Sequence, residues 1–522
     1  MNNSRRKFIK LSGTGAIGLG LLPSIHRIEN ILGPYVPMTL PRTSPEAQGI
    51  SSAAIRSFIK AANESKLEWH SFMLLRHGNV VAEGWWKPFE PQFKHTLYSL
   101  SKSFTSSAIG FLVKEGKITV NDPVINFFKD ELPADVSDNL KKMTIKNLLT
   151  MNTGHEADTL GKMRDGTDTW TKSFLAQPVK FEPGTHFLYN TGATYMLGAI
   201  LYKVSGDKLE DYLKNRLFKP LDITGYDWET NKDGLNVAGY GLRIKTEDIA
   251  KFGQLYLQKG KWNNKQLLPA SWIDEATSRQ TSSNEGDGDW SQGYGYQFWR
   301  CKPGFYRGDG AFGQYCIVMP QYDAVLAVTS ESSDMQKSMN IMWDNLLPAM
   351  QSEALPENTS EFTALKNDLK TLTLPAPKVL PATALSPKYN GKKFTVETND
   401  YGVTQMQFSF SANGCKWTIK TGKTETNIQC GWSKWNLNND SENYLFYVPR
   451  RIDIPSKIAG TATWVKEDTL QINLKFAEAI HGDKITCVFD GDKVSVSFFN
   501  SVSEFNRNNK ENRKGLAGTI AS

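Results

Sequence analysis

The sequence predicts an α+β chain in two parts: helices interleaved with β-hairpins over residues 43–350, then an all-β domain over 389–503. Three observations carry this. Up to residue 350, segments with apolar residues at helical spacing alternate with short β-rich runs joined by Gly or Asn turns. Residues 356–388 are crowded with Pro, Thr and Ala and read as a linker, with a short helical pattern near Leu365–Leu372. Beyond it the apolar period drops to two, as in Met406, Phe408, Phe410 and in Leu470, Ile472, Leu474, Phe476.

Taken in order, Ser44-Pro45-Glu46 opens a helical pattern that places Ile55, Phe58 and Ile59 on one face. Phe72–Leu75 and Val80–Ala82 form a hairpin hinged by His77-Gly78-Asn79. Ser99–Glu115 is helical, with Gly116 where a C-terminal cap belongs. Helices follow at Ile145–Met151, Thr191–Val204 and Thr246–Gln258, then a hairpin of Tyr315–Met319 with Ala324–Thr329 and a helix near Gln336–Leu347. In the β domain Asn413-Gly414 and Asp490-Gly491 are hairpin turns, and a sandwich or small barrel is expected. The polar tail, 506–522, is expected to be disordered.

Composition narrows the function classes. At 39% hydrophobic and 22% charged the chain is ordinary for a globular protein, and no apolar run reaches the ~18 residues of a membrane-spanning helix. The net charge of +7 would suit nucleic acid, but four of those seven charges sit in residues 1–30, with Arg5, Arg6, Lys7, Lys10 and Arg27 against Glu29. The rest shows no basic cluster, so no nucleic-acid partner is expected. Ser4-Arg5-Arg6-Lys7-Phe8-Ile9-Lys10, followed by a glycine-rich apolar stretch to Leu22, resembles a twin-arginine export signal. That resemblance implies the twin-arginine machinery as a partner and a periplasmic or secreted protein, with the signal cut or kept as a membrane tether. The five cysteines do not make a disulfide scaffold, although Cys415 and Cys430 could pair in an oxidising compartment.

Ser99-Leu100-Ser101-Lys102 is the chemical candidate. An S-x-x-K sequence at a helix start puts serine and lysine on one face, one turn apart. The lysine serves as a base for the hydroxyl only if burial lowers its pKa, and the helix N-terminus offers N–H groups to a developing oxyanion. The pattern alone is weak: a chain this long holds about two by chance, and Ser4–Lys7 is another.

Its surroundings supply specificity. Tyr98-Ser99-Leu100-Ser101-Lys102-Ser103-Phe104-Thr105 resembles the nucleophile segment of the serine β-lactamase-related superfamily, which includes class C β-lactamases, family VIII carboxylesterases, D-stereospecific peptidases and 6-aminohexanoate-dimer hydrolases. Asn121-Asp122-Pro123-Val124, Leu148–His155, Glu182-Pro183-Gly184, Phe187–Gly192, Ala238–Leu242 and Gly310–Gln314 match in order, so the resemblance spans residues 43–350. It implies a β-lactamase/transpeptidase-like fold: an antiparallel sheet with flanking helices plus an all-helical lobe, the nucleophile between them. It also implies that Ser99 is the acylated nucleophile, Lys102 its proton partner, and Tyr189 the base that shuttles the proton to the leaving group. An adjacent Lys102 cation is expected to hold the Tyr189 phenol near phenolate. The N–H groups of Ser99 and Gln314 would form the oxyanion hole.

Two positions depart from the family. Thr191 stands where the Tyr-x-Asn motif has asparagine, which weakens recognition of an amide. Ala311-Phe312-Gly313 lacks the polar first residue of the third motif, which weighs against strong β-lactamase activity. Thr191, Gly313 and His155 are candidate substrate-contacting residues. Trp170, Tyr294 and Trp299 read as core aromatics, with an aromatic pocket wall as the alternative. Ser137-Asp138-Asn139 and Lys420-Thr421-Gly422 reproduce other β-lactamase motifs literally but read as decoys, one too close behind the nucleophile and one at the end of a β-domain strand. The seven histidines lack metal-ligand spacing, and neither a metal nor an organic cofactor is expected. The reading is an exported serine hydrolase, an esterase or amidase acting on a small substrate. Its alternatives are a D-amino-acid peptidase of penicillin-binding type on cell-wall peptides, or a catalytically weak, hydrolase-like binding protein.

Overall fold

A computed structural model describes residues 39–377, 385–439, 444–446, 457–505 and 510–521. The expected export segment therefore lies outside the described residues. Thr39–Ser522 forms one unit. Its first part is built on a six-stranded antiparallel sheet of β1 (Glu68–Arg76), β2 (Asn79–Trp85), β3 (Trp299–Arg300), β4 (Tyr306–Gly310), β5 (Gln314–Met319) and β6 (Ala324–Glu331), in the order β2-β1-β6-β5-β4-β3. Nearly every residue of β1, β5 and β6 is buried, because both sheet faces are covered. Phe72 and Leu74 point to one side, into a core with Ile55 and Phe58 of helix α1 (Ser52–Glu64) and Met339 and Met342 of a helix at Met335–Leu346. Met73 and Leu75 alternate to the other side, toward the helical lobe.

That lobe contains α2 (Ser101–Lys114), α3 (Thr191–Ser205) and α4 (Thr246–Leu257). Residues 101–112 of α2 are all buried, and most hydroxyls of this stretch find internal partners, Ser106 Oγ being the exception. Ser103 Oγ donates to Gln297 O at 2.9 Å, Thr105 Oγ1 to Ala238 O at 2.9 Å, and Ser107 Oγ lies 2.8 Å from Tyr256 Oη. The strand β4 presses directly on this helix: a Cβ on Gly308 would come 2.5 Å from Ser103 Oγ. This is how the sheet and the lobe meet at the start of α2.

The β domain is a barrel. Its strands are β7 (Lys393–Val396), β8 (Val403–Ser411), β9 (Gly414–Thr421), β10 (Glu425–Trp432), β11 (Asn436–Asn438), β12 (Ile458–Lys466), β13 (Thr469–Phe476), β14 (Gly482–Asp490), β15 (Lys493–Asn500) and β16 (Leu516–Ile520). Strand pairs run in order from β10 back through β7 to β16 and on to β12, and a parallel β10–β12 pairing closes the ring. Alternate residues such as Met406, Phe408, Ile472 and Leu474 fill the interior. Cys415 and Cys430 are register partners on adjacent strands, and both are free thiols.

Two expectations are corrected. The tail is not disordered where it is described: β16 pairs with both β7 and β15 and buries Leu516, so the chain end completes the barrel. The polar run before it and its brevity hide its alternation. Nor is 356–388 a free linker. A helix at Thr359–Lys370 docks on α1, with Arg56 paired to Glu361 (2.9 Å) and Asp368 (2.7 Å), and Leu365, Leu372 and Leu374 join the core beneath the sheet. Residues 378–384 of that stretch lie outside the described residues.

If β16 closes the barrel, Leu516→Ala should lower the stability of the barrel's denaturant transition by about 2 to 5 kcal/mol. A change within error would contradict the closure.

Candidate active site

Ser99 lies in a single 3-10 turn, Tyr98–Leu100, that leads into α2. Tyr98 is left-handed at φ 47°, uncommon for a non-glycine residue and a source of strain. Next to this turn β4 approaches so closely that a Cβ on Gly310 would lie 2.0 Å from Leu97 O and 3.1 Å from Ser99 N. Only glycine fits there. Gly310 is the register partner of Gln314, so the backbones of Ser99 and Gln314 meet across it. Phe312 (φ 65°) and Gly313 (φ 87°) make the tight turn before Gln314. The Gln314 side chain is fully engaged, its Nε2 donating to Ala311 O and Ser330 O, which leaves its backbone as the part relevant to the site.

Lys102 is 1% exposed. Its Nζ lies 3.2 Å from Ser99 Oγ, 2.8 Å from Gly239 O and 3.4 Å from Thr191 Oγ1, and 5.0 Å from the centre of the Tyr189 ring. These hydrogen-bond partners are neutral oxygens. Burial lowers the Lys102 pKa to about 7, against the opposing pull of the more distant Asp158 and Asp309 carboxylates. Burial pushes the Tyr189 phenol up, with Asp309 adding to the effect and the neighbouring Ser99 hydroxyl only partly opposing it. The expected phenolate is therefore corrected: of the two groups beside Ser99, the lysine gives up its proton first.

Thr191, Gly239 and Asp158 form the roof over the amine. Asn190 caps α3 by accepting from Gly192 N, which brings Thr191 to the first helical position beside Lys102. Asp158 Oδ1 accepts from Thr191 N at 3.0 Å and Leu160 N at 3.0 Å, so its charge is tied to backbone near the amine without touching it. Asp309 is held likewise by Arg307 Nε at 2.8 Å, and both are buried. Trp299 stacks on Tyr189 at 5.5 Å and Tyr294 meets it edge-on at 6.1 Å, so these two wall the site as well as filling the core. Trp170 packs on Tyr195 in the lobe.

The other sequence candidates fall elsewhere. His155 is corrected as a substrate contact: its ring is buried against Phe174, its Nδ1 is 2.9 Å from Thr153 Oγ1, and burial lowers its pKa to about 4. Gly313 serves geometry, since a Cβ there would meet Ser330 Oγ at 2.3 Å. Ser137 caps a short helix through Leu140 N, and Lys420 pairs with Glu425 on the barrel. Asp158, Asp309 and Arg307 were not anticipated. The alternation of Arg307 and Asp309 with Gly308 and Gly310 is the one local signal that could have shown a strand with one bare and one charged face. Among the described residues Glu68, His70 and Glu331 form a cluster of metal-ligand type, but the Lys475 ammonium lies 2.5 Å from Glu68 and 3.1 Å from Glu331, supplying a cation from the chain itself.

A buried lysine beside a serine, at the junction of an antiparallel sheet and a helical lobe, defines a serine hydrolase of β-lactamase type. The Beta-lactamase family matches residues 55–351, and the chain belongs to it. It is similar to the 6-aminohexanoate-dimer hydrolase of Paenarthrobacter ureafaciens, 25% identical over 287 residues that cover 51% of this chain and 73% of that protein. It is also similar to the beta-lactamase of Escherichia coli (strain K12), 24% identical over 240 residues, 42% of this chain and 61% of that one. Among solved structures, the octameric penicillin-binding protein homologue from Pyrococcus abyssi aligns over 89% of this chain and 99% of its own at 17% identity, with a TM-score of 0.45.

The lysine environment has a measurable consequence for stability. Unfolded, Lys102 holds its proton up to about pH 10.5; folded, only to about 7. Between these values the unfolded chain binds more protons, so stability rises with pH. Lys102→Met should therefore be more stable than the natural protein by on the order of a few kcal/mol below pH 7, the difference shrinking toward pH 10, as measured by urea unfolding. A difference independent of pH would contradict the lowered pKa.

Proposed function

We propose that this chain is an exported serine hydrolase that acts through an acyl-serine intermediate on a small ester or amide. The observation that carries the reading is the buried Lys102 amine, 3.2 Å from Ser99 Oγ and bonded to neutral oxygens. Neutral above pH 7, it takes the Ser99 proton as Oγ attacks the substrate carbonyl. The N–H groups of Ser99 and Gln314 receive the oxyanion. Tyr189, protonated and beside Lys102, passes its proton to the leaving group and is resupplied from the Lys102 ammonium. Water then releases the acyl group by the reverse path. The stacked Tyr189–Trp299 pair favours a compact substrate with an apolar face. Similarity to a 6-aminohexanoate-dimer hydrolase supports an amide among the substrates. Ala311, without a charge to pair with a substrate carboxylate, favours uncharged acyl groups over β-lactams. Export is supported by the Ser4–Lys10 segment.

The test is a stopped-flow assay with a short-chain nitrophenyl ester. A burst of nitrophenol equal to the enzyme concentration is expected, its rate rising with pH through an apparent pKa near 7. Ser99→Ala should abolish the burst and fluorophosphonate labelling, with at least about a 10³-fold loss of turnover. A Ser99→Ala protein that retains either would overturn the reading.

A further inference from the structure

The barrel reaches the nucleophile segment through a buried polar chain. Strands β1 and β6 place Glu68 opposite Glu331 in register, two like charges on paired strands. Lys475 of β13 bridges both. Glu331 also accepts from His481 Nδ1 at 2.7 Å and from Ser501 Oγ at 2.5 Å, both supplied by the barrel end of the chain. Burial would push the Glu331 carboxyl up, yet Lys475 and His481 hold it well below the usual carboxylate range. A charged Glu331 fixes the His481 ring from one side.

From its other nitrogen, His481 lies 2.7 Å from Tyr98 Oη. Its ring meets Tyr98 edge-on at 5.9 Å and Phe312 edge-on at 4.9 Å, and Tyr98 and Phe312 touch each other at 5.5 Å. The identity of these two residues matters. Tyr98 immediately precedes Ser99, and Phe312 precedes Gly313-Gln314. Both are left-handed, at φ 47° and 65°, conformations that persist in aromatic residues only where the surroundings impose them. The Ser99 N–H lies in the peptide plane that follows Tyr98, so rotation about Tyr98 re-aims it. The Gln314 N–H follows the two left-handed residues Phe312 and Gly313, so the path of that turn sets its aim.

We propose that His481 is a positioning residue of the active site: through Tyr98 and Phe312 it holds the two backbone turns that aim the oxyanion donors, so the seated barrel is part of the catalytic apparatus. The inference rests on the reading of Ser99 as nucleophile given above. It assigns His481 no contact with substrate. A pre-aimed donor strengthens only the transition state, so its loss acts on kcat and leaves KM nearly unchanged.

The full-length chain is assayed as the natural protein, His481→Ala, Tyr98→Phe, the double variant and Ser99→Ala, with nitrophenyl ester kinetics, fluorophosphonate labelling rates and melting curves. Each single variant should lose about 10- to 100-fold in kcat and in labelling rate, with KM within about threefold. The double variant should be no worse than the weaker single, because both act through one contact. Tyr98→Phe removes one hydroxyl and keeps the ring, so it decides the matter if His481→Ala fails to fold. Folded variants with natural kcat, or a double loss equal to the product of the single losses, would overturn the inference. If Ser99→Ala is inactive while His481→Ala and Tyr98→Phe are fully active, only this inference falls. If Ser99→Ala retains turnover, the nucleophile assignment falls and takes this inference with it.

Discussion

One amine, removed from water and given no acid to touch, governs the arrangement around it. A lysine in contact with a carboxylate stays protonated and is useless as a base. Here the two nearest acids are diverted: Asp158 to the backbone at the start of α3, Asp309 to Arg307. What remains in reach of Lys102 is a carbonyl, a threonine hydroxyl and the serine it would activate. The surrounding architecture follows from that requirement. Residues 101–112 of α2 are buried, β4 brings Gly308 against it, and Gly239 O reaches the amine at 2.8 Å from a position where a Cβ would crowd Thr191 Cγ2 at 2.7 Å.

A second constraint joins the barrel to this site. Opposing Glu68 and Glu331 across a strand pair would destabilise this end of the sheet without a cation between them. Lys475 provides it, so the barrel contributes the cation that sits between the two carboxylates of the hydrolase sheet. Such buried charge networks are costly when half-made and specific when complete.

The sequence revealed what depends on local spacing. The spacing of Ser99 and Lys102 put them one turn apart at a helix start, but only the ordered resemblance to the β-lactamase-related family singled that pair out from a second S-x-x-K and pointed to Tyr189. The hairpins around His77-Gly78 and Asp323 were equally legible, because continuous apolar runs such as Phe72–Leu75 and Ala324–Val328 flank short polar turns. What could not be read depends on distant contacts. Asp158, Asp309, Lys475 and His481 stand at positions that carry no local pattern. The protonation of Tyr189 was misjudged because proximity to Lys102 shows in the motif, whereas the burial that outweighs it does not. Strand β16 was missed for a related reason: five residues, one of them Gly518, make too short an alternation to stand out beside a polar run, and only pairing on both edges shows it as a strand.

The central claim is that burial leaves Lys102 neutral at working pH. The most direct measurement is NMR of the protein labelled with 13C at the lysine side chain, following the Lys102 Cε resonance, assigned by its loss in Lys102→Arg, across pH 5 to 11. A midpoint near 7 is predicted. A midpoint at or above 10, the range of an ordinary lysine, would contradict the account.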